Sequence, residues 1–262
     1  MHPDILKLRL PHPSTPLPWP DEAPVPHPSL GWPAGLIAWG HDLSPQRLEE
    51  AYLKGIFPWY SDGEPVLWWS TDPRMVLAVD QFRLHDSLRK TLKRSLQSGE
   101  LEIRFDHSLP DVMAACAQIE RPGQSGTWIQ PELTEAYLAW AAQGAVHSVE
   151  AWWQGELAGG LYGVNLGRMF YGESMFSRRT DASKWALCAL VAHCRRHGIE
   201  WIDCQQQTAH LAHMGGRPLP RRDFLHRLRQ LTMMPTRALW QHDPQDWRWL
   251  DPRLAPADGP TP

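Results

Sequence analysis

The sequence predicts an α+β fold, and two stretches of pattern carry that prediction. Residues 146–153, 156–164 and 168–172 read as three consecutive strands, joined by Gln154-Gly155 and by residues 165–167, both with the chemistry of hairpin connections. A long helical segment then opens at Asp181, turns Leu187, Leu190, Val191 and Cys194 inward, stops at Gly198 and leads into a further strand at 199–204. At 262 residues the chain suits one large domain or two small ones, and it is long enough to bury a core without a metal or a disulfide.

The other elements follow from local signals. Ten of the 25 prolines fall in the first 33 residues, so residues 1–34 form a proline-rich arm, extended or wrapped on the body. Order starts near residues 35–40. Ser44-Pro45 reads as a helix cap with proline at the first helical position; Leu48, Ala51 and Tyr52 face inward and Gly55 stops the helix. Residues 55–70 (GIFPWYSDGEPVLWWS) are aromatic, punctuated and non-periodic, which predicts a structured loop. A strand at 75–79, a basic amphipathic helix at 84–96, a strand at 101–105 and a helix at 109–119 complete a smaller N-terminal α/β domain, residues 35–110, and enter a second domain, residues 111–235. There, Leu133, Ala136, Tyr137, Trp140 and Ala141 mark a helix at 131–143, and helical patterns recur at 209–214 and 221–228. Residues 236–262 read as an irregular tail.

Composition narrows the function. The formal net charge of −3 gives no global basic field, so any nucleic acid must meet a local patch. Arg83 and, on the basic helix, Arg89, Lys90, Lys93 and Arg94 offer one; a solvated face is the usual meaning of such charges, with phosphate binding its rival. No apolar run approaches a membrane span, and the N-terminus lacks a secretory apolar stretch, so a cytoplasmic protein is expected. Cys116, Cys188, Cys194 and Cys204 never stand at CxxC spacing, which predicts free, mostly buried thiols. His210 and His213 lack a third ligand at convincing spacing, so no metal is expected. The 15 tryptophans suit core walls or an aromatic pocket.

Polar residues at strand ends mark where chemistry could sit: His147-Ser148-Val149-Glu150, Phe170–Ser177 (FYGESMFS) and Trp201–Gln205 (WIDCQ). Alternation puts Trp201, Asp203 and Gln205 on one face and Ile202 and Cys204 on the other. Asp203 beside Gln205 offers a proton acceptor and an amide, or simply a cap for the next turn. Gly172-Glu173-Ser174 reads as a ligand approach or a bulge. Met175 and Phe176 read as pocket wall or core. Neither a P-loop nor GxGxxG follows a strand.

The strand and helix order resembles the GNAT acyltransferase layout, in which two neighbouring strands part and substrates meet in the gap. Enzymes of that layout that use CoA bring a glycine-rich turn to the long helix. Here residues 177–184 hold no glycine, and Asp181 would repel phosphate, which disfavours CoA.

Four stretches together closely resemble leucyl/phenylalanyl-tRNA–protein transferases: residues 35–77 with FPWYS and LWWS-DPR, residues 126–153 with HSVE, residues 159–187 with GESMFS and ASK, and residues 202–225 with IDCQ. The resemblance implies a GNAT-like catalytic domain behind a smaller N-terminal one. It implies transfer of Leu or Phe, and weakly Met, from aminoacyl-tRNA to proteins that begin with Arg or Lys, marking them for the bacterial N-end rule pathway. It implies no cofactor, neither ATP nor CoA, no membrane partner, and a monomer. Within it, Asp203 and Gln205 supply the reaction centre, with Asp203 deprotonating the acceptor amine directly or through Gln205, and Glu173 stands at the donor ester. The donor side chain is held by Leu161, Phe170, Met175, Leu190 and Cys194, while Trp59 and Trp128 stack near the terminal adenosine. Arg178 and Arg179 meet phosphate near the centre. The chain departs from the pattern at Asp181, where Asn is usual, at residues 206–209, and at Gly215-Gly216-Arg217, where Leu-Gly-Ala is common. Two other classes stand beside this one: a CoA-dependent N-acetyltransferase, separable by acetyl-CoA binding, and a silent tRNA- or peptide-binding module, separable by a transfer assay.

Overall fold

The computed structural model describes residues 16–20, 33–119, 127–236 and 238–256. The predicted arm at 1–34 and the tail at 236–262 therefore lie partly outside the described residues. Residues 16–20 wrap on the body. Leu17 is buried, its N–H donates to Glu50 Oε1 at 2.8 Å, and its carbonyl accepts from Lys54.

A small sheet comes first. Strand β1 (Leu36–Gly40) is followed by helix α1 (Pro45–Leu53), β2 (Phe57–Pro58) and β3 (Val66–Trp69), and the strands lie in the order β1-β3-β2. Ser44 caps α1 as expected, accepting from the Arg47 N–H, and Leu48, Ala51 and Tyr52 are buried. The loop expected over 55–70 is corrected: two short strands of that segment pair antiparallel with each other, and β3 also pairs with β1. Two- and four-residue strands are too short to show a period.

The large sheet has seven strands in the order β10-β4-β9-β8-β7-β6-β5. They are β4 (Arg74–Ala78), β5 (Leu101–Phe105), β6 (Val146–Trp153), β7 (Glu156–Leu166), β8 (Met169–Ser177), β9 (Trp201–Gln205) and β10 (Arg217–Leu219). Strands β4 and β5 bring residues from before position 110 into the same sheet as β6–β9. The expected meander is present, with β8 running to Ser177 rather than stopping at 172. Strand β10, three residues ending the segment after Gly215, was not legible.

Every pairing is antiparallel except β8 with β9, which are joined by the crossover helix α5 (Ala182–His197). Their parallel pairing covers only Met169–Trp201, Phe170–Ile202 and Tyr171–Asp203. Beyond that point the two strands have no mutual ladder.

Each face of the sheet has its own apolar core. One joins Val149, Ala151, Leu161, Phe170 and Ile202 to α5 and to Leu88 and Leu92 of α2 (Asp86–Gln97). The other joins Tyr162, Val164 and Tyr171 to α3 (Leu109–Ala117), α4 (Pro131–Ala141) and α7 (Arg221–Met233). Helix α5 is buried almost throughout from Ala182 to Cys194, as a helix covering a sheet must be. It starts at Asp181 as expected, but that residue is left-handed (φ 67°) and its side chain makes no cap; the carboxylate pairs with Lys184 at 2.7 Å instead.

The tail is not wholly irregular. After α6 (Ala209–His213) and α7, a 3-10 turn at Pro244–Asp246 leads into α8 (Trp247–Leu250), and Trp247 is buried against α5.

Gly163 shows how tightly β7 meets β8. A Cβ there would stand 2.1 Å from the Tyr171 carbonyl oxygen and 2.6 Å from the Phe170 ring. Gly163→Ala should therefore destabilise the fold by about 1–3 kcal/mol, the usual cost of overpacking, read as a lowered urea midpoint at unchanged slope.

Candidate active site

A cleft of about 460 Å³ opens where β8 and β9 cease to pair. Strand β8 supplies Gly172, Glu173, Ser174 and Met175, and β9 supplies Ile202, Cys204 and Gln205. Leu161, Leu187 and Leu190 give it an apolar wall, and Phe57, Trp59, Trp128, Thr208, His210 and Leu211 also line it.

Both strands reach the cleft through a bulge. In the β7–β8 ladder Gly163 faces Gly172 while Tyr162 faces Ser174, so Glu173 is an extra residue with no partner. In the β4–β9 ladder Val76 faces Asp203 while Met75 faces Gln205, so Cys204 is extra. A bulge re-aims side chains, and here it breaks the two-residue alternation on both walls. Gln205 adds a left-handed backbone, φ 58°. The expectation that Asp203 and Gln205 share a face is thus corrected: Gln205 lines the cleft beside Ile202 and Cys204, and Asp203 does not.

Asp203 lies behind the cleft, fully buried. Its Oδ1 accepts from Arg74 Nε at 2.8 Å and its Oδ2 from Arg74 Nη2 at 2.6 Å, a bidentate pair closed off by the Phe57 and Phe224 rings. Oδ1 also accepts the Gln205 backbone N–H at 2.9 Å. The Thr71 hydroxyl donates to the Gln205 carbonyl at 2.9 Å. These bonds fix the left-handed turn, and the Gln205 side chain then donates from Nε2 to Glu173 Oε1 at 2.9 Å. Direct contact between Asp203 and an amine in the cleft does not fit this geometry; the route that fits runs through Gln205.

Glu173 is the acid at the wall. Its Oε2 accepts from the Tyr137 hydroxyl at 3.2 Å, and Tyr137 in turn shares a short hydrogen bond with Tyr52. Burial lifts the Glu173 carboxyl from 4.5 to about 7, and the Asp203 charge adds to the rise; the two tyrosine hydroxyls and Arg74 hold it back. Tyr52 and Tyr137 are themselves raised, first by burial and then by the Glu173 charge.

The other expected residues divide. Trp59, Trp128, Leu161, Phe170, Met175 and Leu190 all line the cleft. Cys194 does not. It lies one turn beyond Leu190, wholly within the core, and burial raises its thiol far above the usual range. Leu187, His210 and Leu211 line the cleft without having been expected there. Leu187 is recoverable from its helical spacing to Leu190; the other two sit on a short helix with no readable face.

Two family models match: leucyl/phenylalanyl-tRNA protein transferase over residues 76–229, and the N-terminal domain of that transferase over residues 41–72. The chain belongs to this family. Leucyl/phenylalanyl-tRNA–protein transferases from Leptothrix cholodnii and Cupriavidus necator are similar to it. The first is 57% identical over 84% of this chain and 86% of its own; the second is 52% identical over 94% and 97%. Among solved structures, the C-terminal domain of a putative lysylphosphatidylglycerol synthetase from Agrobacterium fabrum aligns with 74% of this chain and 60% of its own, at 14% identity and a TM-score of 0.34.

In this family member the basic residues lie outside the cleft. Arg83, Lys90, Lys93 and Arg94 are exposed, whereas Arg89 is half-buried and pairs with Asp86 and Asp251. Arg178 and Arg179 are exposed beyond the end of β8, with their guanidinium groups over Phe176 and Trp153.

The Arg74–Asp203 pair yields a stability test. Arg74→Met should cost about 3–5 kcal/mol, because it strands a buried carboxylate, while Arg74→Met with Asp203→Leu should recover much of that loss in denaturant melts.

Proposed function

We propose that the chain transfers Leu or Phe from the ester of its tRNA to the α-amine of a protein beginning with Arg or Lys, forming a peptide bond that serves as a degradation signal. Family membership supports the reaction class, and the apolar cleft supports the donor. The observation that carries the reading is Glu173: a carboxylic acid poised near neutrality in the wall of an apolar cleft.

The chemistry follows from the substrates. An aminoacyl ester is already activated, so aminolysis needs no nucleotide. The acceptor arrives as an ammonium and must lose a proton before its nitrogen can attack. Ionised Glu173 takes that proton. The C–N bond forms, the nitrogen of the tetrahedral intermediate releases its second proton to solvent, the intermediate collapses, the ester C–O bond breaks, and protonated Glu173 returns its proton to the departing ribose oxygen. A group with its pKa near the working pH serves both steps. Gln205 holds the carboxylate in register, and Arg74 with Asp203 holds Gln205. Asp203 is thus a positioning residue in this reading.

Leu161, Phe170, Met175, Leu187 and Leu190 bury the donor side chain, which is worth about 1.5–3 kcal/mol for Leu or Phe. A slot of this kind separates neighbours by only about 10–200-fold per methylene, so Met enters weakly. Trp59 and Trp128 offer flat faces to the terminal adenosine. The parting of β8 and β9 around the cleft suits the GNAT-like layout. A cytoplasmic monomer fits the proposed tRNA substrate, and among the described residues no helix is long and apolar enough to cross a membrane.

Two outcomes test this. Charged Leu-tRNA and an Arg-initiated peptide, with no nucleotide added, should give a Leu-Arg product by mass spectrometry, and Glu173→Gln should lower kcat by about 100-fold or more. Because Glu173 must be ionised to act, the rate of the wild type should fall as pH drops through about 7. Tyr137→Phe removes a donor to the carboxylate, raises its pKa further and should move that limb to higher pH. In stability the sign is opposite: a raised carboxyl pKa favours the fold below about pH 4.5, and that contribution is lost as pH rises through about 7.

Helix α2 supplies the proposed tRNA contacts, with Arg178 and Arg179 nearer the cleft. Replacing Lys90, Lys93 and Arg94 together by Ala should flatten the plot of log affinity against log salt by about 2–3 units of slope, measured by filter binding.

A further inference from the structure

We propose that Trp240, in the C-terminal segment beyond the matched family region, is a positioning residue that sets the depth of the cleft by backing Phe170. The inference rests on the reading of the cleft as the donor side-chain slot.

Phe170 is fully buried and forms part of the cleft wall. Behind it stands the Trp240 ring, 5.5 Å away between centroids and tilted by 32°. Trp240 itself does not line the cleft. It is firmly seated. Its ring stacks on His147 at 3.9 Å and 5°, and lies 4.6 Å from His193. The His147 ring is tied on both sides, Nδ1 to Asp106 at 2.7 Å and Nε2 to the Gly144 carbonyl at 3.1 Å. The segment that carries Trp240 is clamped to α5. Arg195 donates to the Trp249 and Leu250 carbonyls, and Arg196 pairs with Asp243 and Asp246.

The space behind Phe170 behaves as an apolar filling. His193 is fully buried, and neither ring nitrogen has a partner among the described residues. Burial lowers its pKa to about 3, so it stays neutral. It lies one helical turn beyond Leu190, which is also cleft wall. Trp240 therefore backs the β8 wall at Phe170 and meets α5 at His193, one turn from the cleft-lining Leu190. Removing its ring leaves a void that the surroundings refill only in part, and Phe170 is the side chain placed to move into it. The slot then deepens, favouring the longer donor.

Trp240→Ala should raise the ratio of kcat/KM for Phe-tRNA over Leu-tRNA by about tenfold, through the donor KM, with the acceptor KM unchanged. Trp240→Phe, which keeps a ring behind Phe170, should restore the ratio to within about twofold. Taking both donors on one preparation cancels any loss of folded protein. An equal loss for both donors, or an unchanged ratio, overturns the proposal. Phe170→Ala separates the two failures. If it alters the ratio while Trp240→Ala does not, the donor slot stands and the role of Trp240 falls. If neither alters it, both fall.

Discussion

Arg74 and Asp203 are both buried, one on β4 and the other on β9, and each would be costly without its partner. Together they make a two-point bond between adjacent strands of the large sheet. The carboxylate also takes the backbone N–H of Gln205, so the ion pair extends into the geometry of the strand end. From there the order passes to Gln205 Nε2 and on to Glu173. A pair that adds little net stability, given its desolvation, can still specify which conformation the strand end adopts.

The two acids beside the parted strands show what surroundings do to one functional group. Asp203 faces a guanidinium. Glu173 is largely buried and hydrogen-bonded to neutral donors, the Gln205 amide and the Tyr137 hydroxyl. Neutral donors moderate the cost of burying its charge without cancelling it, and the carboxyl settles near 7. Tyr52, Tyr137 and Tyr171 form the floor beneath it. Their hydroxyls are directed by Glu173 and by the Tyr52 carbonyl, which holds Tyr171 at 2.9 Å. Helix α5 thus adds to the apolar side of the cleft through Leu187 and Leu190, while α4 backs the acid through Tyr137.

Much of this was legible in the residues. The meander, α5, and α1 with its cap follow from period and spacing, because each has enough residues to show its face, whereas the apolar cleft wall follows only from the resemblance to the transferase family. The failures have physical causes. Short β2, β3 and β10 carry no period. Alternation along β9 misplaces Gln205 because a bulge at Cys204 and a left-handed Gln205 both intervene. Cys194 sits on the inward face of α5, but α5 is longer than the cleft is deep, so an inward face does not mean a cleft-lining one. Arg74 was visible in the motif LWWS-DPR, yet nothing local says that its partner lies 129 residues away. The packing of Trp240 on Phe170 is likewise non-local.

Glu173 is the residue that the β7–β8 ladder does not count. Gly172 and Ser174 on either side of it would pair with Gly163 and Tyr162 in an unbroken line if it were absent, so its place in the chain is a surplus in the ladder. Sheet architecture and the proposed reactivity are therefore written in separate letters of β8. A one-residue deletion here would mend the pairing and erase the acid in the same stroke, whereas exchanging the letter leaves the backbone detour standing and ready to present whatever side chain replaces it.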